Sequence, residues 1–159
     1  MTVHPKGRRA RVLLTSVFGP YAQDDQFGSR AINPMELYHN QVTRAQGAFS
    51  LRMFHRSWGI TLIQANISAP CTVLDFPTRE AFADELRSGA YDIVGISSLF
   101  TPSYHDLLAL GRSARACFPD ALVIAGGSVP SSMYRQIFRQ CPDFDALCYG
   151  EGEKPLLDL

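Results

Sequence analysis

The sequence predicts a parallel, doubly wound α/β sheet, and three observations lead there. Five short segments rich in branched apolar residues alternate with segments of helical periodicity. One of the five, Tyr91-Asp92-Ile93-Val94-Gly95-Ile96-Ser97-Ser98-Leu99, is apolar on both faces, as a strand must be in the middle of a sheet covered on both sides. Each parallel step between strands needs a covering crossover, which the intervening helical segments supply.

Length and composition fit that class. A chain of 159 residues with 46% hydrophobic residues has the size and apolar content of one globular domain with a core. The formal net charge is zero and all but two of the 15 basic residues are arginine, Lys6 and Lys154 being the exceptions. That balance gives no broad basic field and argues against nucleic acid as a partner. No apolar run approaches the roughly 20 residues of a membrane span, and the basic, polar first ten residues lack a following signal-type cleavage region. A cytoplasmic protein without a membrane partner is expected. The four cysteines, Cys71, Cys117, Cys141 and Cys148, are irregularly spaced within apolar segments, so buried reduced thiols outweigh disulfides or a metal.

Taken in order, residues 1–10 read as a flexible basic lead-in, and Arg11 to Val17 as the first strand, ended by Phe18-Gly19-Pro20. From about 18 to 50 there is no strand pattern despite scattered aromatics. Such a long insertion in a compact domain is uncommon unless it is functional. Within it, Asn33-Pro34-Met35-Glu36 carries helix-start residues and predicts a short helix from Pro34 to about Arg44. Leu51, Phe54, Trp58, Leu62 and Ile63 recur at spacings of three and four and predict a second helix ending before Asn66. Gly59 costs that helix about 1 kcal/mol relative to alanine, which close packing against a neighbour or a ligand would explain.

Cys71 to Phe76 is the second strand, and Pro77-Thr78 opens a helix to about Ser88 with Phe82 and Leu86 inward and Gly89 as stop. Tyr91 to Leu99 is the third strand, and Thr101-Pro102 starts a helix running to Pro119. Ala121 to Ala125 is the fourth strand, ending on Gly126-Gly127-Ser128. A helix from about Ser131 to Cys141 leads to a short fifth strand, Ala146 to Tyr149. The preferred strand order is 2-1-3-4-5, the flavodoxin-like (Rossmann-like) arrangement. Pro155 to Leu159 reads as the first turn of a fifth helix, so the chain is expected to be a truncation or the amino-terminal part of something larger.

In this order the loops after the first, third, fourth and fifth strands meet along one edge, where open parallel sheets bind ligands. They contain Tyr21, then Ser97, Ser98 and Leu99, then Gly126, Gly127 and Ser128, then Gly150, Glu151 and Gly152. Glycines allow close backbone approach and hydroxyls give neutral hydrogen bonds, a combination suited to a large, mostly uncharged ligand rather than to an acid–base pair. Singly, each has a plainer reading: Gly126-Gly127 as a turn, Ser97-Ser98 as a strand terminus, Glu151 and Glu153 as loop acids, His105 as a structural histidine. A dinucleotide fingerprint is missing after the first strand, although Asp75 would suit a ribose. A P-loop and a phosphoacceptor's acidic cluster are missing too. A flavin site stays open, since Thr15-Ser16 precede a glycine.

Tyr91-Asp92-Ile93-Val94-Gly95-Ile96-Ser97-Ser98, Ile124-Ala125-Gly126-Gly127 and Tyr149-Gly150-Glu151-Gly152-Glu153, in that order and at these intervals, resemble the cobalamin (vitamin B12)-binding domain of cobalamin-dependent radical S-adenosylmethionine enzymes. Trp58-Gly59-Ile60 resembles that family's first helix, and the match spans about 11–159. The resemblance implies a cobalamin cofactor lying on the strand ends, its nucleotide tail beside the sheet between the Ser97-Ser98 and Gly126-Gly127 loops. The site residues it implies are Tyr21, Ser97, Ser98, Leu99, Gly126, Gly127, Ser128, Gly150, Glu151 and Gly152. The Asp-x-His-x-x-Gly motif that supplies a cobalt ligand in another cobalamin-binding group is missing, His39 and His55 having the wrong neighbours, so no protein ligand to cobalt is expected. The insertion at 18–50 would lie over the cobalt face, with Tyr21, Phe27 or Asn33 limiting solvent. The family's Cys-x-x-x-Cys-x-x-Cys run is also missing. Iron–sulfur cluster and S-adenosylmethionine are therefore expected only in a downstream radical S-adenosylmethionine domain, and this chain alone is expected to bind cobalamin without catalysing methyl transfer or rearrangement. The alternatives are a flavin- or nucleotide-binding flavodoxin-like protein and a non-catalytic interaction domain.

Overall fold

Residues 4–17, 57–99 and 101–152 are described by the structure, a computed structural model. Five strands, β1 (Val12–Ser16), β2 (Cys71–Leu74), β3 (Ile93–Ser97), β4 (Leu122–Gly126) and β5 (Ala146–Leu147), form one parallel sheet in the order β2-β1-β3-β4-β5. This is the flavodoxin-like arrangement the alternation predicts. Helices α1 (Trp58–Asn66), α2 (Arg79–Ser88), α3 (Tyr104–Cys117) and α4 (Ser128–Gln140) lie between the strands. No described helix is long and apolar enough to cross a membrane. The insertion expected at about 18–50, its Pro34 to Arg44 helix and the helical turn expected at Pro155 to Leu159 lie outside the described residues.

Alternation along the central strands divides the core in two. Leu13, Val94 and Val123 stand in one register row and enter the larger cluster, with Phe82 and Leu86 of α2, Leu107 and Leu110 of α3 and Ile137 of α4. The next row, Leu14, Gly95, Ile124 and Ala146, faces the other side. There Leu14 and Ile124 join Val12, Ile93 and Ile60 of α1 in the smaller cluster. Among the described residues, then, three helices cover one face and α1 alone the other. That asymmetry leaves room beside β3, β4 and β5 on the α1 face.

Local sequence explains most element ends. The Thr78 side chain accepts the Ala81 N–H at 3.0 Å and caps α2, whose Phe82 and Leu86 are buried as expected. Gly89 ends α2 in an extended conformation, φ −86°. Glycine is needed there for space, because a Cβ would lie 2.3 Å from the Tyr91 ring. Helix α4 begins at Ser128, three residues before the expected start, because Gly127 at φ 99° turns the chain straight from β4 into the helix. Pro130 sits in its first turn, where no N–H is required.

Burial departs from expectation at the cysteines and in the lead-in, and within α1 it centres on one residue. In α1 the inward residue is Ile60, 3% exposed, whereas Trp58 and Leu62 are 69% and 51% exposed. The three- and four-residue spacing predicted this helix, and the Leu51 and Phe54 of that expectation lie outside the described residues. Cys117 is exposed at the end of α3, Cys71 and Cys148 are half-buried, and only Cys141 is fully buried. No disulfide joins the four cysteines. The lead-in expected to be flexible carries structure from His4 onward: Gly7–Arg9 form a 3-10 turn, the Lys6 ammonium meets Asp92 at 2.5 Å, and Ala10 is buried in the smaller cluster.

Candidate functional site

At the carboxyl ends of β1, β3 and β4, Ser16, Ser97 and Gly126 stand side by side in register. The loops beyond them are locked to one another through main-chain atoms. Ser98 N–H donates to Gly126 O at 2.9 Å, and Val129 N–H donates to Ser98 O at 3.2 Å. Gly127 passes so close that a Cβ would lie 2.5 Å from Ser98 O. Ser128 Oγ donates to Leu99 O at 2.5 Å. Ser131 Oγ donates to Gly127 O at 2.8 Å and accepts the Gly150 N–H at 3.1 Å, tying the loop after β4 to the loop after β5.

Below this rim a cavity of about 410 Å³ runs down the sheet on the α1 face. Its floor is the register row Leu14, Gly95, Ile124 and Ala146. One wall is α1, through Gly59, Ile60 and Ile63, and the opposite rim is Cys148 to Gly152. Gly95 is central to the floor: a Cβ there would lie 2.8 Å from Leu14 Cδ2. An interior glycine weakens a strand and marks close approach of another group. Gly59 borders the cavity, and among the described residues a Cβ there would meet nothing within 4 Å. Gly152 brings the loop after β5 back against the α1 wall, where a Cβ would lie 3.1 Å from Ile63 Cδ1.

Among the described residues the lining carries a single charged side chain, that of Glu151. No lysine, arginine or histidine among them borders it, so no charge-assisted side-chain clamp on a phosphate is present there, and main-chain N–H groups at the glycine rim are among the donors available. Of the candidates read from the sequence, Ser97, Leu99, Gly126, Gly127, Gly150, Glu151 and Gly152 border the cavity. Ser98 and Ser128 do not: Ser98 is 0% exposed, its Oγ 2.9 Å from Ser103 Oγ, and the Ser128 hydroxyl is held by Leu99 O. Both shape the rim from behind. Tyr21, Phe27 and Asn33 lie outside the described residues. His105 is exposed in the first turn of α3 and does not border the cavity. Asp75, suited in principle to a ribose, is engaged by the Ser57 N–H and the Ser16 hydroxyl. Thr15 and Ser16 are buried, and their hydroxyls donate to Ser16 O and Asp75, leaving neither to form a flavin phosphate loop.

Sequence reasoning missed the floor, and of the α1 wall it flagged Gly59 but not Ile60 and Ile63 as lining. An isolated glycine within the branched residues of β3 was the one available signal for the floor. Which residues of α1 face the cavity depends on what stands opposite them, which no local pattern records.

A parallel sheet in the order 2-1-3-4-5, with an apolar, nearly uncharged cavity opening at its strand ends, defines a cofactor-binding α/β domain suited to a large neutral group. Over residues 46–159 the chain matches the B12 binding domain, and it belongs to that family. It is 33% identical over 85 residues to the anaerobic magnesium-protoporphyrin IX monomethyl ester cyclase of Cereibacter sphaeroides, covering 54% of this chain and 14% of that protein. It is 34% identical over 90 residues to the enzyme of the same name from Rubrivivax gelatinosus, covering 54% of this chain and 16% of that protein. The chain thus spans about a seventh of the length of these curated relatives. Among solved structures, a response regulator of Thermotoga maritima matches 93% of this chain and 92% of its own at 14% identity, with a TM-score of 0.46.

The residues present fit a corrinoid tail. The floor glycine keeps side-chain atoms out of the middle of the cavity, the walls are aliphatic, and Gly126, Gly127 and Gly150 put main chain rather than side chain at the rim.

Proposed function

We propose that this chain is the cobalamin-binding module of a cobalamin-dependent radical S-adenosylmethionine enzyme, and that the cavity receives the cofactor's nucleotide tail. The observation that carries the reading is Gly95, the one position on the floor row without a side chain, between Leu14 and Ile124. An aromatic group of indole size buries about 200 Å², worth at most about 5 kcal/mol at about 25 cal/mol per Å². A single neutral hydrogen bond from Ser97 contributes about 1 kcal/mol. Apolar fit to the floor and to Ile60 and Ile63 therefore dominates affinity, and the rim hydroxyl and main chain orient the group.

Cobalamin, when bound, supplies a cobalt centre that can carry a methyl group or enter radical chemistry. The chain's own residues bind and orient: Leu14, Ile60, Ile63 and Ile124 exclude water from the tail, and Ser97 with the Gly126 and Gly150 main chain borders the entrance. The substrate class named in the two cyclases, a porphyrin ester, supports a tetrapyrrole-modifying enzyme as the whole protein.

Incubating the purified chain with hydroxocobalamin, desalting it and recording the visible spectrum tests the reading. One equivalent of red chromophore with a shifted spectrum is expected. Gly95→Val and Gly126→Trp should abolish retention while the circular dichroism stays native. No retention by folded wild-type chain would overturn the cobalamin reading. The coding sequence after Leu159 tests the finer one, since a reading frame lacking Cys-x-x-x-Cys-x-x-Cys would overturn the radical S-adenosylmethionine assignment.

A further inference from the structure

Helix α1 forms a wall of the cavity, yet little within the helix holds it there. Ile60 is its one buried residue. Its N-cap Ser57 makes no side-chain capping bond, and its first turn contains no acidic residue. A nine-residue helix with so little cover is marginal without tertiary support, and the N–H groups at its start need an acceptor.

The acceptor comes from beyond β2. Both carboxylate oxygens of Asp75 take the Ser57 N–H, at 3.2 and 3.1 Å. Ser16 Oγ, at the end of β1, donates to Asp75 Oδ1 at 3.2 Å and accepts the Phe76 N–H at 2.5 Å. Phe76 holds φ 48°, a left-handed conformation that a bulky residue keeps only where its surroundings enforce it. The chain bends there, setting the Asp75 carboxylate against the positive end of α1, where an anion is favoured. Ser57 is 1% exposed and its Oγ has no hydrogen-bond partner among the described residues; it is the main-chain N–H of this residue that the carboxylate holds.

We infer that Asp75 is a positioning residue for the cofactor groove. It fixes the start of α1 to the ends of β1 and β2 and so sets the spacing between the α1 wall and the sheet floor. Asp75 does not itself border the cavity and acts through Ser57 and the helix behind it. This inference rests on the cavity being the cobalamin site.

Trp58, the only tryptophan in the chain and the first residue of α1, gives a direct optical report on the helix start. The test compares wild type with Asp75→Ala, Asp75→Asn and Ser16→Ala in the full chain. It measures amide hydrogen exchange over residues 57–61 and Trp58 emission without cofactor, then hydroxocobalamin affinity by absorbance titration. Asp75→Ala should speed exchange in that turn and weaken hydroxocobalamin by roughly five- to tenfold each, the ratio for one lost cap. Asp75→Asn, which keeps one acceptor, should fall between, and exchange in α2 to α4 should not change. Unchanged exchange and emission in Asp75→Ala, or a loosened α1 with unchanged affinity, would overturn the inference. Should Asp75→Ala not fold, Asp75→Asn and Ser16→Ala decide it by the same two readouts. Failure of the wild-type chain to bind would instead overturn the cobalamin reading, and the exchange measurement would still decide whether Asp75 holds α1.

Discussion

Gly127 and Gly150 both hold positive φ, at 99° and 81°, yet a methyl group would meet different surroundings at the two. At Gly127 it would strike Ser98 O at 2.5 Å, a main-chain atom that cannot swing away, whereas at Gly150 nothing lies within 4 Å. Gly127→Ala therefore carries backbone strain plus a collision and should cost about 3 kcal/mol. Gly150→Ala carries the strain alone and should cost about 1 kcal/mol. Urea unfolding of the two variants measures the difference; equal costs would mean that the close approach between the third- and fourth-strand loops does not constrain the fold. The adjacent glycines of the sequence thus have distinct reasons. Gly126 is the last residue of β4, where a Cβ would make only an ordinary 3.6 Å contact with Cys148, and Gly127 is the residue that the turn requires.

Among the elements, β5 is the one least able to hold itself, with two residues in the sheet and two register pairs to β4. Its support comes from α3. The Arg115 guanidinium donates to Pro119 O at 2.7 Å, to Ala121 O at 2.8 Å and to Asp143 O at 3.2 Å, and it pairs with the Asp145 carboxylate. Asp145 Oδ2 also accepts the Val123 N–H at 2.7 Å, so the strand's approach is pinned to β4 from both sides. Because β5 leads directly into Cys148 to Gly152 on the cavity rim, this staple belongs to the site as well as to the fold. Arg115→Ala leaves several acceptors short of a donor and should cost about 1–3 kcal/mol, with weaker hydroxocobalamin retention. Arg115→Lys should restore only part of both, since an ammonium lacks the planar fork. Thermal unfolding with parallel retention assays checks this, and full rescue by lysine would count against the geometric argument.

For the molecule as a whole, pH reaches the fold through the lead-in. Burial alone would raise the Asp92 carboxyl, but the Lys6 hydrogen bond and charge and the Arg11 N–H at 2.9 Å outweigh it and bring its pKa below the ordinary value of 3.8. As pH falls, the unfolded carboxylate takes its proton first, so Asp92 stabilises the fold above about pH 4 and this contribution fades as pH drops through its folded pKa. Stability measured by urea across about pH 5 to 3 should fall less steeply in Asp92→Asn than in wild type. An unchanged acid slope would show that the ion pair between lead-in and sheet is not felt by the molecule. At neutral pH Lys6→Ala should change little, as expected of a pair with an exposed ammonium.

By itself the sequence determined the strand alternation, the parallel order and the meeting of three loops at one edge. Branched apolar runs and helix caps are local signals, and crossover geometry leaves few ways to assemble them. The hidden strand from Ile93 to Ser97 was legible for that reason, as were the α2 cap at Thr78 and its inward Phe82 and Leu86. The tertiary structure alone decided that Ser97 borders the cavity while Ser98 turns inward, that Ile60 rather than Trp58 anchors α1, and that Gly95 keeps the floor open. It alone brought Asp75 to the start of a helix 18 residues earlier in the chain. Each of these depends on which atom stands opposite a residue across the fold, and a one-dimensional pattern of apolarity carries no information about that partner.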